Sequence, residues 1–235
     1  MKQRKMIACA GAREYGDTGK KRGQEMKLQA ALDTLSIEEC NALLSQTRGS
    51  IDIAEVGTPF VIEEGMRPVR EFKEKFPEIE VLADVKIMDA GEYEADKCFE
   101  AGADICTVLG VSNNATIEGV VRSARRHGRK VMVDMIEVPD LAARAAEIDA
   151  MGVDYICVHT AFDVQKTGKD PLDDLKIVNK VLKNAKSAVA GGVKLDTIDA
   201  IVEEGAEIIV VGGYICNAKD RSATAKELKA HLNKE

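Results

Sequence analysis

The 235-residue sequence predicts a single-domain α/β protein, a closed (β/α)8 barrel of the TIM type. Three observations predict it. The length suits one such barrel. Short β-branched or aliphatic runs alternate eight times with charged, helix-periodic stretches, the mark of parallel βαβ units whose strands are covered on both faces. An acidic, Gly-containing turn also recurs ahead of three strands, at 100–104, 149–154 and 204–207. Eight units favour closure, since an open doubly wound sheet usually has fewer strands and a switch point.

The elements follow in order. Strands are expected at 28–33, 51–56, 80–86, 104–109, 130–136, 154–158, 187–190 and 208–211. Helices are expected between them at 38–46, 65–75, 93–100, 116–127, 141–150, 172–183, 195–203 and 218–232. Gly102, Gly152 and Gly205 each read as the C-cap that closes a helix before the next strand enters. Residues 1–25 are rich in Lys, Arg and Gly and lack apolar periodicity. They read as a poorly ordered N-terminal extension, with a functional basic arm as the alternative. The catalytic barrel is then 26–235.

Composition narrows the partners. A net charge of −7 argues against nucleic acid or an anionic membrane as the main partner, though backbone N–H groups can still bind an anionic small substrate. The six cysteines, Cys9, Cys40, Cys98, Cys106, Cys157 and Cys216, form no C-x-x-C pair and read as reduced thiols rather than a disulfide framework or zinc site. No apolar run approaches a membrane span, and the N-terminus lacks the apolar core of a secretion signal, so a cytoplasmic protein is expected.

In such barrels the chemistry sits at the C-terminal ends of the strands. Asp33 ends strand one, Glu55 lies in strand two ahead of Gly57 and Thr58, and Asp84, Lys86 and Asp89 close strand three. Asp134 lies in strand five and His159 ends strand six. Glu55 and Asp84 lie on adjacent strands and make an oxygen-ligand pair suited to Mg2+. An ion-pair cluster of Asp33, Lys86 and Asp84 that merely holds the barrel mouth is the competing reading. His159 could act as a general base near neutral pH, while His127 and His231 fall late in helices as solvated or dipole partners. Gly191-Gly192 and Gly212-Gly213 follow strands seven and eight, where backbone N–H groups leading into helices at Lys194 and Ala218 could cradle phosphate.

The motif Asp84-x-Lys86-x-x-Asp89 resembles the signature of the orotidine-phosphate decarboxylase superfamily. Longer stretches, among them LQAALD, VLADVKIMDAGEYEADKCFEAGADICTVLG, GVDYICVHTAFDVQ and AVAGGVKLDTI, look like the 3-hexulose-6-phosphate synthase branch. The resemblance covers 26–235 and has no counterpart in 1–25. It implies an aldehyde-lyase joining D-ribulose 5-phosphate and formaldehyde through an enediolate, giving D-arabino-hex-3-ulose 6-phosphate. It further implies Mg2+ held by Glu55 and Asp84, proton movement at C1 by His159, and Lys86 beside the enediolate. Asp33, Asp134 and Thr58 would position hydroxyls and Lys86, and the two glycine pairs would bind phosphate. Asp89 would reach the site of a neighbouring subunit, so a homodimer is implied. The related 3-keto-L-gulonate-6-phosphate decarboxylases, the alternative, typically carry Glu at the position of Asp134 and Arg at that of Gly213. The shorter acid and the glycine here favour the synthase.

Overall fold

The computed structural model describes residues 26–233, so the expected extension at 1–25 and the thiol of Cys9 lie outside the described residues. Eight parallel strands close into a barrel in chain order: β1 (Lys27–Leu32), β2 (Ile53–Val56), β3 (Glu80–Ile87), β4 (Ile105–Leu109), β5 (Lys130–Asp134), β6 (Tyr155–His159), β7 (Lys186–Ala190) and β8 (Ile208–Val211). Closure is a direct pairing of β8 with β1, Lys27 opposite Ile208 and Ala30 opposite Val211. The helices are α1 (Ile37–Gln46), α2 (Thr58–Glu64), α3 (Arg67–Lys75), α4 (Gly91–Glu100), α5 (Asn114–His127), α6 (Leu141–Asp149), α7 (Phe162–Gln165), α8 (Pro171–Asn179), α9 (Leu195–Glu204), α10 (Gly213–Cys216) and α11 (Arg221–Leu232).

Two apolar layers hold the barrel. One lies between strands and helices, with Leu28, Phe72, Ile117 and Ile148 fully buried in it. The other fills the interior with Ala31, Ile53, Leu82, Ile105, Met132, Cys157, Ala188 and Val210. Strand side chains alternate in direction, so the residue two places beyond each interior position also faces inward. That places Asp33, Glu55, Asp84, Thr107, Asp134 and His159 above the apolar floor, at the C-terminal mouth.

The opposite end is closed by charge. Lys27 and Lys130 both donate to Glu80, the latter at 2.8 Å. Acids at the heads of even strands stitch the odd ones: Asp52 accepts from Leu28 N at 2.7 Å, Asp104 from Val81 N at 2.9 Å, and Asp154 from Val131 N at 2.8 Å. Local caps set the helix starts. Ser36 and Glu39 form a reciprocal capping box on α1, and Asp140 and Asp220 cap α6 and α11.

Several boundaries differ from the sequence reading. Strand β2 starts at Ile53, because Asp52 turns aside to bond β1. Strands β1 and β5 end at Leu32 and Asp134. The helix expected at 65–75 starts at Arg67, and an unexpected helix, α2, precedes it and ends where Gly65 takes a positive φ of 60°. The four-residue helices α7 and α10 are too short for periodicity to show. The last helix begins at Arg221 rather than 218, after its Asp220 cap. Of the three turn glycines only Gly205 is itself the left-handed C-cap; Gly102 and Gly152 follow the caps Ala101 and Ala150, also with positive φ. The five described cysteines are buried free thiols. Among the described residues no helix is long and apolar enough to cross a membrane.

Candidate active site

Strand ends and the start of α2 bring five of the predicted residues into one connected cluster. Asp84 is its hub and is buried. The Thr58 hydroxyl donates to Asp84 at 2.9 Å, the Thr107 hydroxyl donates to Asp84 Oδ1 at 2.7 Å, and the Lys86 ammonium pairs with Asp84 Oδ2. Lys86 also donates to Thr58 Oγ1 at 3.1 Å and lies 3.5 Å from Asp134 Oδ2. His159 Nδ1 lies 2.9 Å from that same Asp134 oxygen. A contact chain therefore runs from Thr58 through Asp84, Lys86 and Asp134 to His159.

Glu55 and Asp33 stand beside this chain. Glu55 is buried, and Gln29 Nε2 donates to its Oε2 at 2.6 Å. Gly57 is required by Asp33: a Cβ built on it would lie 1.8 Å from Asp33 Oδ1, so only glycine lets the carboxylate occupy that position.

Charge in the cluster is unbalanced. Burial pushes the Glu55 carboxyl well above the usual range, and the nearby Asp84 and Asp33 push it further. Asp33 is raised by its own burial and by Asp84. Lys86 would be lowered by burial, but Asp84 and Asp134 hold its ammonium above the ordinary lysine value. Burial acts against Asp134 too, yet the hydrogen bond and charge of His159, with Lys86, hold it below the usual carboxylate range.

These residues fit a divalent cation. Three carboxylates, Asp33, Glu55 and Asp84, crowd against one ammonium, and beside Glu55 the buried Gln29 Oε1 lacks a hydrogen-bond partner. Among the described residues no group of three or more His, Cys, Asp or Glu side chains is spaced to enclose a metal. Mg2+ does not need such a cage, since it commonly takes one or two carboxylates and completes its octahedron with water and substrate oxygens.

The backbone adds a strained element. Lys86 takes a φ of +47°, a conformation that costs a non-glycine residue on the order of 1–3 kcal/mol. Glycines shape the mouth after β7 and β8. Gly191 has a φ of +97°, and a Cβ there would lie 2.2 Å from Thr160 O. Gly192 also has a positive φ, and Gly213 opens α10 directly after Gly212, in place of the helix start expected at Ala218. Lys194, as expected, stands at the N-cap of α9.

Asp89 is not part of the cluster. It is exposed beyond β3, with one carboxylate oxygen accepting from Ala90 N at 2.8 Å. Two cluster residues escaped the sequence reading, Gln29 and Thr107. The signal was present: each lies on an inward-facing alternate, Gln29 four places before Asp33 and Thr107 two after Ile105.

Comparison with known proteins matches this architecture. Residues 26–228 match the family model described as "Orotidine 5'-phosphate decarboxylase / HUMPS family". The chain is 50% identical over 204 residues to a 3-hexulose-6-phosphate synthase of Bacillus subtilis (strain 168), covering 87% of this chain and 97% of the relative. It superposes on the crystal structure of the 3-hexulose-6-phosphate synthase from Salmonella typhimurium with a TM-score of 0.86 at 43% identity, covering 88% of this chain and 98% of that one. The 3-keto-L-gulonate-6-phosphate decarboxylase from Vibrio cholerae O1 biovar El Tor shares the fold, with a TM-score of 0.77 at 23% identity over 89% of this chain and 98% of its own. The chain thus belongs to the orotidine 5′-phosphate decarboxylase / HUMPS family, as an enzyme similar to its 3-hexulose-6-phosphate synthases.

Proposed function

We propose that this enzyme catalyses the Mg2+-dependent aldol condensation of D-ribulose 5-phosphate with formaldehyde, giving D-arabino-hex-3-ulose 6-phosphate. The observation that carries the reading is the contact chain Asp84–Lys86–Asp134–His159 beside buried Glu55, on a chain half identical to a synthase. Glu55 and Asp84 would hold the cation, which when bound supplies Lewis acidity to the sugar's oxygens. A carboxylate only accepts hydrogen bonds, so the Asp134 contact assigns the hydrogen to His159 Nδ1 and leaves Nε2 as the basic nitrogen. Nε2 takes the proton from C1 of the sugar, and Lys86 supplies positive charge beside the resulting enediolate. C1 then forms the new bond to the formaldehyde carbon as its C=O π bond opens, and the resulting alkoxide takes up the proton held on His159 Nε2. Backbone N–H groups at Gly191-Gly192 and Gly212-Gly213 receive the phosphate.

A homodimer with shared sites accompanies this reading. Asp89 points away from its own cluster, and large apolar side chains near it, Met88 and Tyr93, are exposed at 53% and 69%. A second copy covering that face would bury them and bring Asp89 to the neighbouring mouth. A cytoplasmic setting suits the five described thiols, which form no disulfide.

The test is formaldehyde consumption by purified protein with ribulose 5-phosphate and Mg2+, with and without EDTA. Rapid consumption that EDTA stops supports the synthase. Absence of consumption, with CO2 released from 3-keto-L-gulonate 6-phosphate, moves the enzyme to the decarboxylase branch.

A further inference from the structure

Asp84 and Lys86 lie in an irregular part of β3. Ala83 stands opposite Cys106 and Ile87 opposite Val108, so four steps on β3 run against two on β4. A bulge of this kind re-aims side chains, and something must fix the new aim. Thr107 is the one β4 residue between those pairs, and it is 3% exposed. Its hydroxyl accepts from the Lys86 backbone N–H at 2.9 Å and donates to Asp84 Oδ1 at 2.7 Å. One neutral group thus ties the left-handed peptide at Lys86 to the carboxylate two residues earlier. Lysine has no intrinsic preference for its φ of +47°, so the surroundings must impose it. Thr107 uses both capacities of a hydroxyl to do so, and valine, of the same shape, has neither.

We infer that Thr107 is a positioning residue for the proposed reaction: its hydroxyl locks the β3 bulge so that Asp84 and Lys86 share one geometry at the mouth. Thr107 would not touch substrate. It would act through the aim of Asp84 and the backbone of Lys86. A misplacement of about 1 Å in such groups can cost on the order of a hundredfold in rate. The inference rests on the proposed synthase reading only where rate is measured.

The experiment compares Thr107→Val and Thr107→Ser in the full chain. For Thr107→Val, kcat should fall on the order of 10- to 100-fold. KM for ribulose 5-phosphate should stay within about threefold, since positioning of the reacting groups is lost rather than uniform binding. Thr107→Ser, which keeps the hydroxyl, should restore kcat to within about threefold of the parent by the same criterion. A Thr107→Val enzyme with parental kcat, or a serine variant as impaired as the valine one, overturns the role. A crystal structure of Thr107→Val reads the same point without any activity: Lys86 should leave positive φ or part from Asp84. Unchanged geometry at both sinks the inference, whereas a parent protein that consumes no formaldehyde counts against the synthase reading alone. If Thr107→Val does not fold, Thr107→Ala removes the hydroxyl with less crowding and is read by the same structural criterion.

Discussion

At the scale of single residues, Asp84 is satisfied on both oxygens by Thr58, Thr107 and Lys86, all donors. Asn in its place keeps the shape but presents an NH2 group, which can only donate, to a ring of donors. It also removes one of the two carboxylates proposed to hold the cation. Asp84→Asn is therefore expected to lower formaldehyde consumption at least about a hundredfold, the size typical of losing a charge-stabilising group. Near-normal turnover in that variant would remove Asp84 from the metal site. The ionisable members of this cluster were legible in the sequence because acids inside apolar strands are costly without partners. Gln29 and Thr107 were not, because a neutral polar side chain in a strand carries no such cost signal until its partners are seen. Asp84 and Lys86 were expected together at the barrel mouth, two places apart in the sequence of β3. The contact holds, but it is made across a bulge with Lys86 in a left-handed conformation, which spacing does not encode.

At the scale of elements, apolar alternation located all eight strands to within a few residues, since each is a short aliphatic run bounded by polar turns. The misses have local causes. Helix α2 lies ahead of the helix expected at 65–75 and is cut off from it at Gly65, and α7 and α10 are single turns. Asp149 shows how a turn between elements is held. Its carboxylate accepts from the backbone N–H groups of Lys183, Asn184 and Ala185, at 3.2, 3.0 and 2.7 Å, pinning the approach to β7. Burial acts to raise its pKa, but these donors outweigh it and hold the carboxyl below the usual aspartate value. Asp149→Ala leaves buried donors unmet and is expected to cost about 3 kcal/mol. For a barrel of this size that is a fall in Tm of roughly 6–12 °C. The pH dependence has a definite sign. A depressed folded pKa gives stability that is fully present above the unfolded value, about 3.9, and is lost as pH falls through the lower folded value. The Tm gap between parent and variant should therefore narrow in acid, and a gap that stays constant or widens would show that the charge of Asp149 is not what holds the turn.

At the scale of the whole molecule, the barrel is closed from Lys27 onward, with Lys27 N bonded to Glu207 O at 2.8 Å and Lys229 Nζ bonded to Met26 O at 3.1 Å. A protein beginning at Met26 keeps each of these bonds, so removal of residues 1–25 is expected to leave turnover unchanged. A large loss, measured in the same formaldehyde assay, would assign that segment a part in the site or the dimer.

The proposed shared-site homodimer gives a sharper test, because two defects can be placed on different protomers. Asp84 sits in its own cluster, whereas Asp89 faces outward with exposed Met88 and Tyr93 nearby. If Asp89 serves the neighbouring mouth, an Asp84→Asn homodimer and an Asp89→Ala homodimer are each inactive for different reasons. In a mixed dimer, one mouth carries both defects. The other has an intact Asp84 and receives an intact Asp89 from its partner. Random exchange makes half of the dimers mixed, with one working site of two in each, so activity should recover to about a quarter of the parent value. If Asp89 served its own mouth, every site in the mixture would carry one defect, and mixing would restore nothing. Denaturing and refolding the two variants together, then measuring formaldehyde consumption against each variant refolded alone, separates the two arrangements.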